Sequence, residues 1–359
     1  MIRWLARLFG RARAESASPR SPAPAPGCAA AAPAGPARDA AHGPGGGHAL
    51  AAPSALSDSA LDLAFFRLLA GPHLSGAAGD AGAVPVFDAL ARLARDPAVA
   101  AELVPRVPAV IPQLLRSLRD DDSSVAGLAN QLAQDPVLVA AVIREVNGPA
   151  YRSTAPVRNL EGALLLLGQN GLRMVLARVA FRPLIGSGGG RLARAAAPLL
   201  SRQSEGSALA GALLAPRHGA DPFLAYLAGL MHNIGLVVAL RLVDGLLPGG
   251  ALPDTDAFGL RLVGAARLLS ARIAGEWGLP GAIGHAIAQI GNPGDPGDPG
   301  EARNAASLPA TLGQADRLAK LHLLAAGGQP HFAAAAAALG EPLRRVYDQL
   351  DEQPPAQEA

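Results

Sequence analysis

Cysteine and lysine are almost missing from this chain of 359 residues. Cys28 is the only cysteine, so the chain can form neither an intramolecular disulfide nor a metal site built from several thiolates. A reducing compartment such as the cytoplasm is therefore the expected location. Lys320 is the only lysine, and arginine supplies the other permanent cations. Charged residues make up only 17% of the chain and the formal net charge is +2, so no nucleic acid partner is expected.

Long uninterrupted apolar runs are also scarce. Arg7 interrupts the short apolar run at the N-terminus, which therefore does not resemble a secretory signal. Residues 223–240 are apolar enough to resemble a membrane span, but they contain His232 and Asn233, which are costly in lipid. Because 50% of the chain is apolar, a sizeable core is available, and we expect residues 223–240 to lie inside it.

The N-terminal part of the chain divides into two segments of different composition. In residues 1–14, apolar and arginine side chains would lie on different faces of a helix. This pattern predicts weak contact with an anionic membrane surface through residues 1–13, and the alternative is a frayed terminus. Residues 15–57 consist mainly of Ala, Pro, Gly and Ser with few large side chains, which predicts a disordered linker.

From residue 58 onward, helical periodicity dominates, and no convincing alternating pattern of a strand appears. Asp-Pro pairs at 96–97, 135–136 and 221–222 match the start of a helix. There the Asp side chain caps the first turn, and the fixed φ of Pro suits the first helical position. The predicted helices span 110–118, 124–133, 136–146, 160–167, 171–180, 192–215, 222–231, 234–242, 259–277, 280–290 and 308–326. The glycine-rich residues 187–190 predict a flexible connection, and the Pro-Gly-Asp repeat at 292–300 predicts an exposed loop. The predicted core is therefore all-α.

Several short motifs occur in a fixed order along the helical region. They are Val-Pro-Arg-Val-Pro at 104–108, Leu-Ala-Asn-Gln-Leu-Ala-Gln-Asp-Pro-Val-Leu at 128–138, Asn-Gly-Pro-Ala-Tyr at 147–151, Gly-Ala followed by Leu-Leu-Gly within 162–168, Gly-Leu-Met-His-Asn-Ile-Gly at 229–235, and Trp-Gly-Leu-Pro at 277–280. Together these segments resemble the HDOD domain, a branch of the HD phosphohydrolase superfamily. The residues expected to support the fold are Asp135, Pro136, Asn147, Gly168, Gly235, Trp277 and Pro280.

The resemblance implies an all-α, HD-superfamily-like helical bundle, preceded by the disordered Ala/Pro/Gly-rich segment. It places the HDOD domain at residues 104–326, after a helical lead-in at 58–103. Residues 327–359 are expected to form a C-terminal helix and a frayed tail.

The motif at 229–235 departs from the superfamily pattern at one position. Asn233 stands where catalytic members have Asp, and a neutral amide cannot supply the anionic oxygen that a hard divalent metal needs. The resemblance also places Gln203 and Ala266 where further ligands would stand. His232 alone remains, and a single histidine cannot hold a metal at fixed geometry.

We therefore predict no catalytic, metal or cofactor site. His232 is expected to be a buried histidine at a helix end, bonded together with Asn233 to loop backbone. A modified binding pocket in which both side chains act as donors stays open as an alternative.

By function, the resemblance implies a non-catalytic bacterial signal-transduction protein that acts through an unidentified protein partner. The expected location is the cytoplasm or the inner face of the membrane. The first alternative is a metal-dependent phosphohydrolase or cyclic-dinucleotide phosphodiesterase with displaced ligands. The second is a membrane-surface adaptor in which residues 1–13 are the main functional element.

Overall fold

The computed structural model describes residues 56–75, 83–93, 95, 104, 110–112, 136–148, 151, 156–186, 189–247, 251–291 and 307–351. Within these ranges the chain is almost entirely helical, which confirms the predicted all-α class. The helices are α1 (Asp58–Ala70), α2 (Ala83–Leu93), α3 (Pro136–Val146), α4 (Leu160–Gly186), α5 (Arg191–His218), α6 (Pro222–Met231), α7 (Ile234–Leu246), α8 (Asp256–Glu276), α9 (Gly281–Ala288), α10 (Ser307–Ala326), α11 (Pro330–Ala337) and α12 (Glu341–Leu350). The predicted segment 1–14, most of 15–57, the helix 124–133 and the loop 292–300 lie outside the described residues.

Helix α5 occupies the centre of the bundle. It packs along its length against α6 and α10, and it also contacts α4, α7, α12 and α1. Residues 203–212 are consequently all buried, although this stretch includes Gln203, Ser204 and Ser207. Helix α8 covers the other side of α7 and packs on α9, α1 and α2. Polar side chains on α5 therefore have to find partners inside the protein.

Several helix boundaries follow from the local sequence. The predicted helix 222–231 coincides with α6, and its cap is as expected: the Asp221 carboxylate accepts from the Leu224 N–H over 2.7 Å. Residues 160–167 and 171–180 were predicted as two helices. They join into α4, within which Gly168 has φ 69° and ψ 177°, a conformation that favours glycine. The predicted break is therefore located at Gly168, and the second stretch continues to Gly186.

The connection between α3 and α4 is fixed by Asn147. Its Nδ2–H donates to the Val157 carbonyl over 2.7 Å, and its Oδ1 accepts from the Val157 N–H over 2.8 Å. Pro136 is the first residue of α3, as the Asp-Pro pattern predicts, while Asp135 lies outside the described residues. Two paired hydrogen bonds from one side chain explain why an amide is suited to this position.

The turn after α8 is packed against the core. Trp277 is only 8% exposed, and its ring centre lies 6.1 Å from that of Phe181 in α4. Pro280 is the residue that precedes α9. The Trp-Gly-Leu-Pro motif therefore joins α8, α9 and α4 through apolar contact.

One local feature was not predicted. Strands β1 (Leu74–Ser75) and β2 (Leu252–Pro253) form a parallel pair in which Leu74 is opposite Leu252. A strand of two residues is too short for an alternating pattern to show in a sequence. The pair ties the segment that follows α1 to the segment that precedes α8.

Within the part of the chain that the structure describes, two helical stretches are long and apolar enough, by length and composition, to cross a membrane. They are Leu160–Gly186 and Pro222–Leu246, and 94% of the apolar window of the second is buried inside the protein. The second stretch contains residues 223–240, which confirms the expectation that they belong to the core. Its apolar character is explained by packing in the bundle.

Candidate functional site

The His232–Asn233 pair forms the turn between α6 and α7. Ser270 of α8 holds this turn, since its Oγ donates to the His232 carbonyl over 2.7 Å and accepts from the Gly235 N–H over 2.8 Å. Gly235 suits this contact because a Cβ there would lie 2.1 Å from the Ala266 carbonyl oxygen. Three of the predicted positions, those of His232, Asn233 and Ala266, therefore meet at one crossing of α7 and α8.

The amide of Asn233 is turned towards α5. Its Nδ2–H donates to Gln203 Oε1 and, over 3.1 Å, to Ser204 Oγ. Gln203 in turn donates from Nε2 to Asp316 Oδ1 over 2.6 Å. All four side chains are buried. The expectation that Asn233 bonds to loop backbone is therefore wrong, because α5 places polar side chains within its reach.

His232 is buried at the end of α6, as expected, with 3% exposure. Its Nδ1 lies 2.7 Å from the Gly229 carbonyl, and because a carbonyl can only accept, Nδ1 carries the hydrogen. Its Nε2 lies 3.2 Å from Asp316 Oδ1 without the alignment of a hydrogen bond. His285, the nearby histidine on α9, is exposed and does not join the site.

Next to this turn lies a closed ring of four charges, called here the Lys320 square. Its members are Asp62 of α1, Arg267 of α8, and Asp316 and Lys320 of α10. Lys320 Nζ lies 2.6 Å from both carboxylates. Arg267 lies 2.6 Å from Asp62 and 3.3 Å from Asp316. No member's side chain is more than 11% exposed, so the square brings two cations and two anions into the interior.

The surroundings fix the charge of two members of the square. Burial by itself raises the pKa of the Asp316 carboxyl, but Lys320, His232 and Arg267 together lower it by more, so the pKa lies well below its usual range. Burial lowers the pKa of the Arg267 guanidinium, while Asp316 and Asp62 raise it above its ordinary value. Asp316 and Arg267 are therefore both ionised at neutral pH.

A second ring of the same kind, the Arg178 square, joins α3, α4 and α5. Its members are Glu145, Arg178, Arg182 and Glu205. Arg178 contacts Glu205 directly and lies 2.9 Å from Glu145. Arg182 lies 3.2 Å from Glu145 and 3.6 Å from Glu205. Burial lowers the pKa of Arg178, yet Glu205 and Glu145 raise it well above its ordinary value, so this buried guanidinium stays charged.

The sequence analysis missed both squares because their members are distant in the chain. Asp62 and Lys320 are 258 positions apart, and Arg178 and Glu205 are 27 apart. One signal was available: the only lysine lies four residues after Asp316 inside the apolar stretch of α10. A charged pair at that helical spacing among apolar residues indicates an ion pair on the buried face.

The fold and the turn together define a class, an all-α helical bundle in which a buried His-Asn pair forms the turn between two core helices. The family model for the HDOD domain matches residues 104–293, which is more than half of the chain. The chain belongs to the HDOD domain family.

Several solved structures are similar to this chain. An HDOD domain protein of unknown function from Geobacter sulfurreducens is 25% identical, with a TM-score of 0.52 over 69% of this chain and 89% of that one. A candidate metal-dependent phosphohydrolase from Shewanella amazonensis SB2B is 17% identical, with a TM-score of 0.49 over 74% and 97%. A candidate signal transduction protein from Marinobacter aquaeolei VT8 is 21% identical, with a TM-score of 0.45 over 69% and 56%. No curated protein sequence matches the chain.

Proposed function

We propose that this chain is a non-catalytic HDOD signalling protein that acts through contact with a partner protein. The observation that carries the proposal is the pair of amides at the HD turn. Asn233 and Gln203 both donate N–H groups within the site, to Gln203 and to Asp316 respectively. A divalent metal ion needs lone pairs from anionic or neutral ligands, and an N–H group repels it.

The remaining carboxylate of the turn region supports the same proposal. Asp316 is held by Gln203, Lys320 and Arg267, so its negative charge is balanced by cations of the chain itself. A divalent ion would have to displace a buried ammonium group. Across the described ranges, no three His, Cys, Asp or Glu side chains converge as metal ligands.

The alternative is a metal-dependent phosphohydrolase or cyclic-dinucleotide phosphodiesterase with displaced ligands. His232 and Asp316 are the one pair of ligand types in contact at this turn among the described residues. Two ligands are fewer than the three or four that catalytic metal sites need. The geometry therefore favours a domain that retains the fold and works by presenting a surface.

The partner that fits this proposal is an unidentified signalling protein met in the cytoplasm. A second proposed interaction is reversible contact of residues 1–13 with an anionic membrane, which would place the protein at the inner face. The near-neutral formal charge of +2 gives no reason to propose a nucleic acid.

The proposal is tested by metal analysis and hydrolysis assays on protein purified without a metal-affinity tag. We expect well under one equivalent of iron, manganese or zinc, and no hydrolysis of cyclic dinucleotides when these metals are added. Stoichiometric metal that survives dialysis, together with hydrolysis, would establish the enzyme instead.

Asn233→Asp provides a sharper version of the same test. This variant restores one carboxylate but leaves Gln203 and Ala266 unchanged, so coordination remains incomplete and we expect no activity. Its folding is checked by circular dichroism alongside the wild type. Measurable hydrolysis by this single variant would show that the missing ligands come from positions other than these.

A further inference from the structure

Helix α1 places two carboxylates over a surface formed by α8 and α10. Asp62 Oδ1 lies 2.6 Å from Arg267 and 2.6 Å from Lys320. One turn earlier, Asp58 lies 2.6 Å from Arg317. These contacts join residues that are more than 200 positions apart in the chain. The polar part of the contact between α1 and the bundle is therefore made by opposite charges.

Without α1, the bundle would carry excess positive charge at this place. Arg267, Lys320 and Arg317 are three cations, and Asp316 is the one carboxylate that α10 and α8 set among them. Three cations and one carboxylate leave two positive charges. Arg267 and Lys320 are largely buried, whereas the side chain of Arg317 is 32% exposed. Buried cations without partners are strongly unfavourable, so Arg267 and Lys320 require an anion beside them in addition to Asp316. In the structure, α1 supplies that anion.

The geometry around Asp62 is that of an oxyanion site. A single oxygen of Asp62 receives both the Lys320 ammonium and the Arg267 guanidinium at 2.6 Å. Such convergence of charge-assisted donors on one oxygen is how proteins hold carboxylates and phosphates. The edge beside Asp62 is lined by Gly291 and Gly313 together with Leu61 and Ile290. A cavity of about 10 Å³ at this edge has room for about one water.

We propose that Arg267, Lys320 and Arg317 form a binding site for phosphate or a phosphate ester, and that α1 fills this site with the carboxylate of Asp62. An external phosphate and Asp62 compete for the two donors Arg267 and Lys320, while Arg317, which pairs with Asp58, borders the site. Phosphate binding at this site does not involve hydrolysis, since it needs only cationic side chains and no metal ion. It is also independent of the proposed signalling role, because an anion site could serve any protein of this fold.

The test uses full-length Asp62→Ala protein and inorganic phosphate as the probe. Thermal unfolding and calorimetric titration are followed while phosphate is added at constant ionic strength, with sodium chloride as the balancing salt. We expect saturable stabilisation of Asp62→Ala by several degrees. Wild-type protein should bind phosphate at least about tenfold more weakly, because the tethered carboxylate is present at high effective concentration.

Two further variants act as controls. Asp256→Ala removes an exposed ion pair between α8 and Arg67 of α1, and it should respond to phosphate as the wild type does. Adding Lys320→Met to Asp62→Ala removes one donor and should abolish saturable binding. Asp62→Asn, which keeps the shape of the side chain, is measured in parallel and should also bind phosphate.

Three results would overturn the proposal. The first is equal stabilisation of Asp62→Ala by phosphate and by chloride. The second is equal phosphate affinity of Asp62→Ala and wild type, which would mean that Asp62 does not occupy the site. The third is that both Asp62→Ala and Asp62→Asn are insoluble in phosphate as well as in chloride. A phosphate bound at the site should replace the missing negative charge and keep the variants soluble.

Discussion

The two buried charge squares have the same pattern but are assembled from different parts of the chain. Each alternates two cations with two carboxylates and has no net charge. The Arg178 square joins α3, α4 and α5, and all of its residues lie within the family-matched segment 104–293. In the Lys320 square only Arg267 lies in that segment, since Asp62 precedes it and Asp316 and Lys320 follow it.

Exposure also separates the two squares. In the Arg178 square, the outer cation Arg182 has a side chain that is 37% exposed. In the Lys320 square, the most exposed side chain, that of Arg267, reaches only 11%. Charges that remain partly in water tolerate the loss of a partner, whereas enclosed charges do not. The Arg178 square therefore joins α3, α4 and α5 at a partly hydrated site, whereas the Lys320 square joins α1, α8 and α10 at an enclosed one.

The largest effect that this comparison predicts is that of Lys320→Met. The substitution leaves Asp62 and Asp316 enclosed with Arg267 alone, and breaking a buried ion pair in this way costs about 3–5 kcal/mol. Urea unfolding of the variant and of wild type measures the difference. Removing the charge of Asp62 as well, in Asp62→Asn/Lys320→Met, should recover part of the loss. If the double variant lost as much free energy of unfolding as Asp62→Asn and Lys320→Met lose together, the charges of Asp62 and Lys320 would not interact.

Asp316→Asn tests the pH dependence of the same square. The pKa of Asp316 is lowered on folding, so its carboxylate stabilises the folded protein above about pH 4, and this contribution is lost as the pH falls below that value. The stability gap between wild type and Asp316→Asn should therefore narrow by about 1.4 kcal/mol per pH unit below about pH 4. Chemical unfolding at pH 3, 4, 5 and 7 provides the measurement. A gap that stays constant over this range would contradict the assigned pairing.

A smaller effect is expected for Arg182→Met in the other square. Because its side chain is 37% exposed, the loss should be below about 1 kcal/mol, as for other partly exposed ion pairs. The same urea experiment measures it, with Arg178→Met as the buried counterpart. If Arg182→Met destabilised the protein as much as Lys320→Met, exposure would not be the property that distinguishes the squares.

The smallest effect on the folded bundle is expected from removing the N-terminal arginines, which lie outside both squares and outside the described residues. A chain that begins at residue 55 keeps Ser57, which caps α1, and the Leu56 carbonyl, which accepts from Arg317, so its stability should be unchanged. It should lose binding to anionic vesicles, since each basic residue near such a surface contributes about 1 kcal/mol. Co-sedimentation with anionic and neutral vesicles at low and high salt compares the two chains. Equal partitioning of both would leave residues 1–13 without a membrane role.

The sequence predicted the elements whose causes are local. The Asp221-Pro222 cap set the start of α6, Gly168 set the interruption of α4, and apolar periodicity set most remaining boundaries to within a few residues. The order of short motifs identified the family, because each motif is a contiguous stretch that can be compared directly. The same comparison drew attention to His232 and Asn233, which form the turn between α6 and α7.

What the tertiary structure alone decided is which charges meet. Composition shows that lysine occurs once, but nothing near Lys320 in the sequence indicates that Asp62, 258 positions away, completes its environment. The partner of Asn233 was likewise set by the packing of α5 against the turn. Local propensities act over a few residues, whereas ion pairs and buried hydrogen bonds form wherever packing leaves a polar group without water. Contacts of that kind exist only once the helices have been brought together.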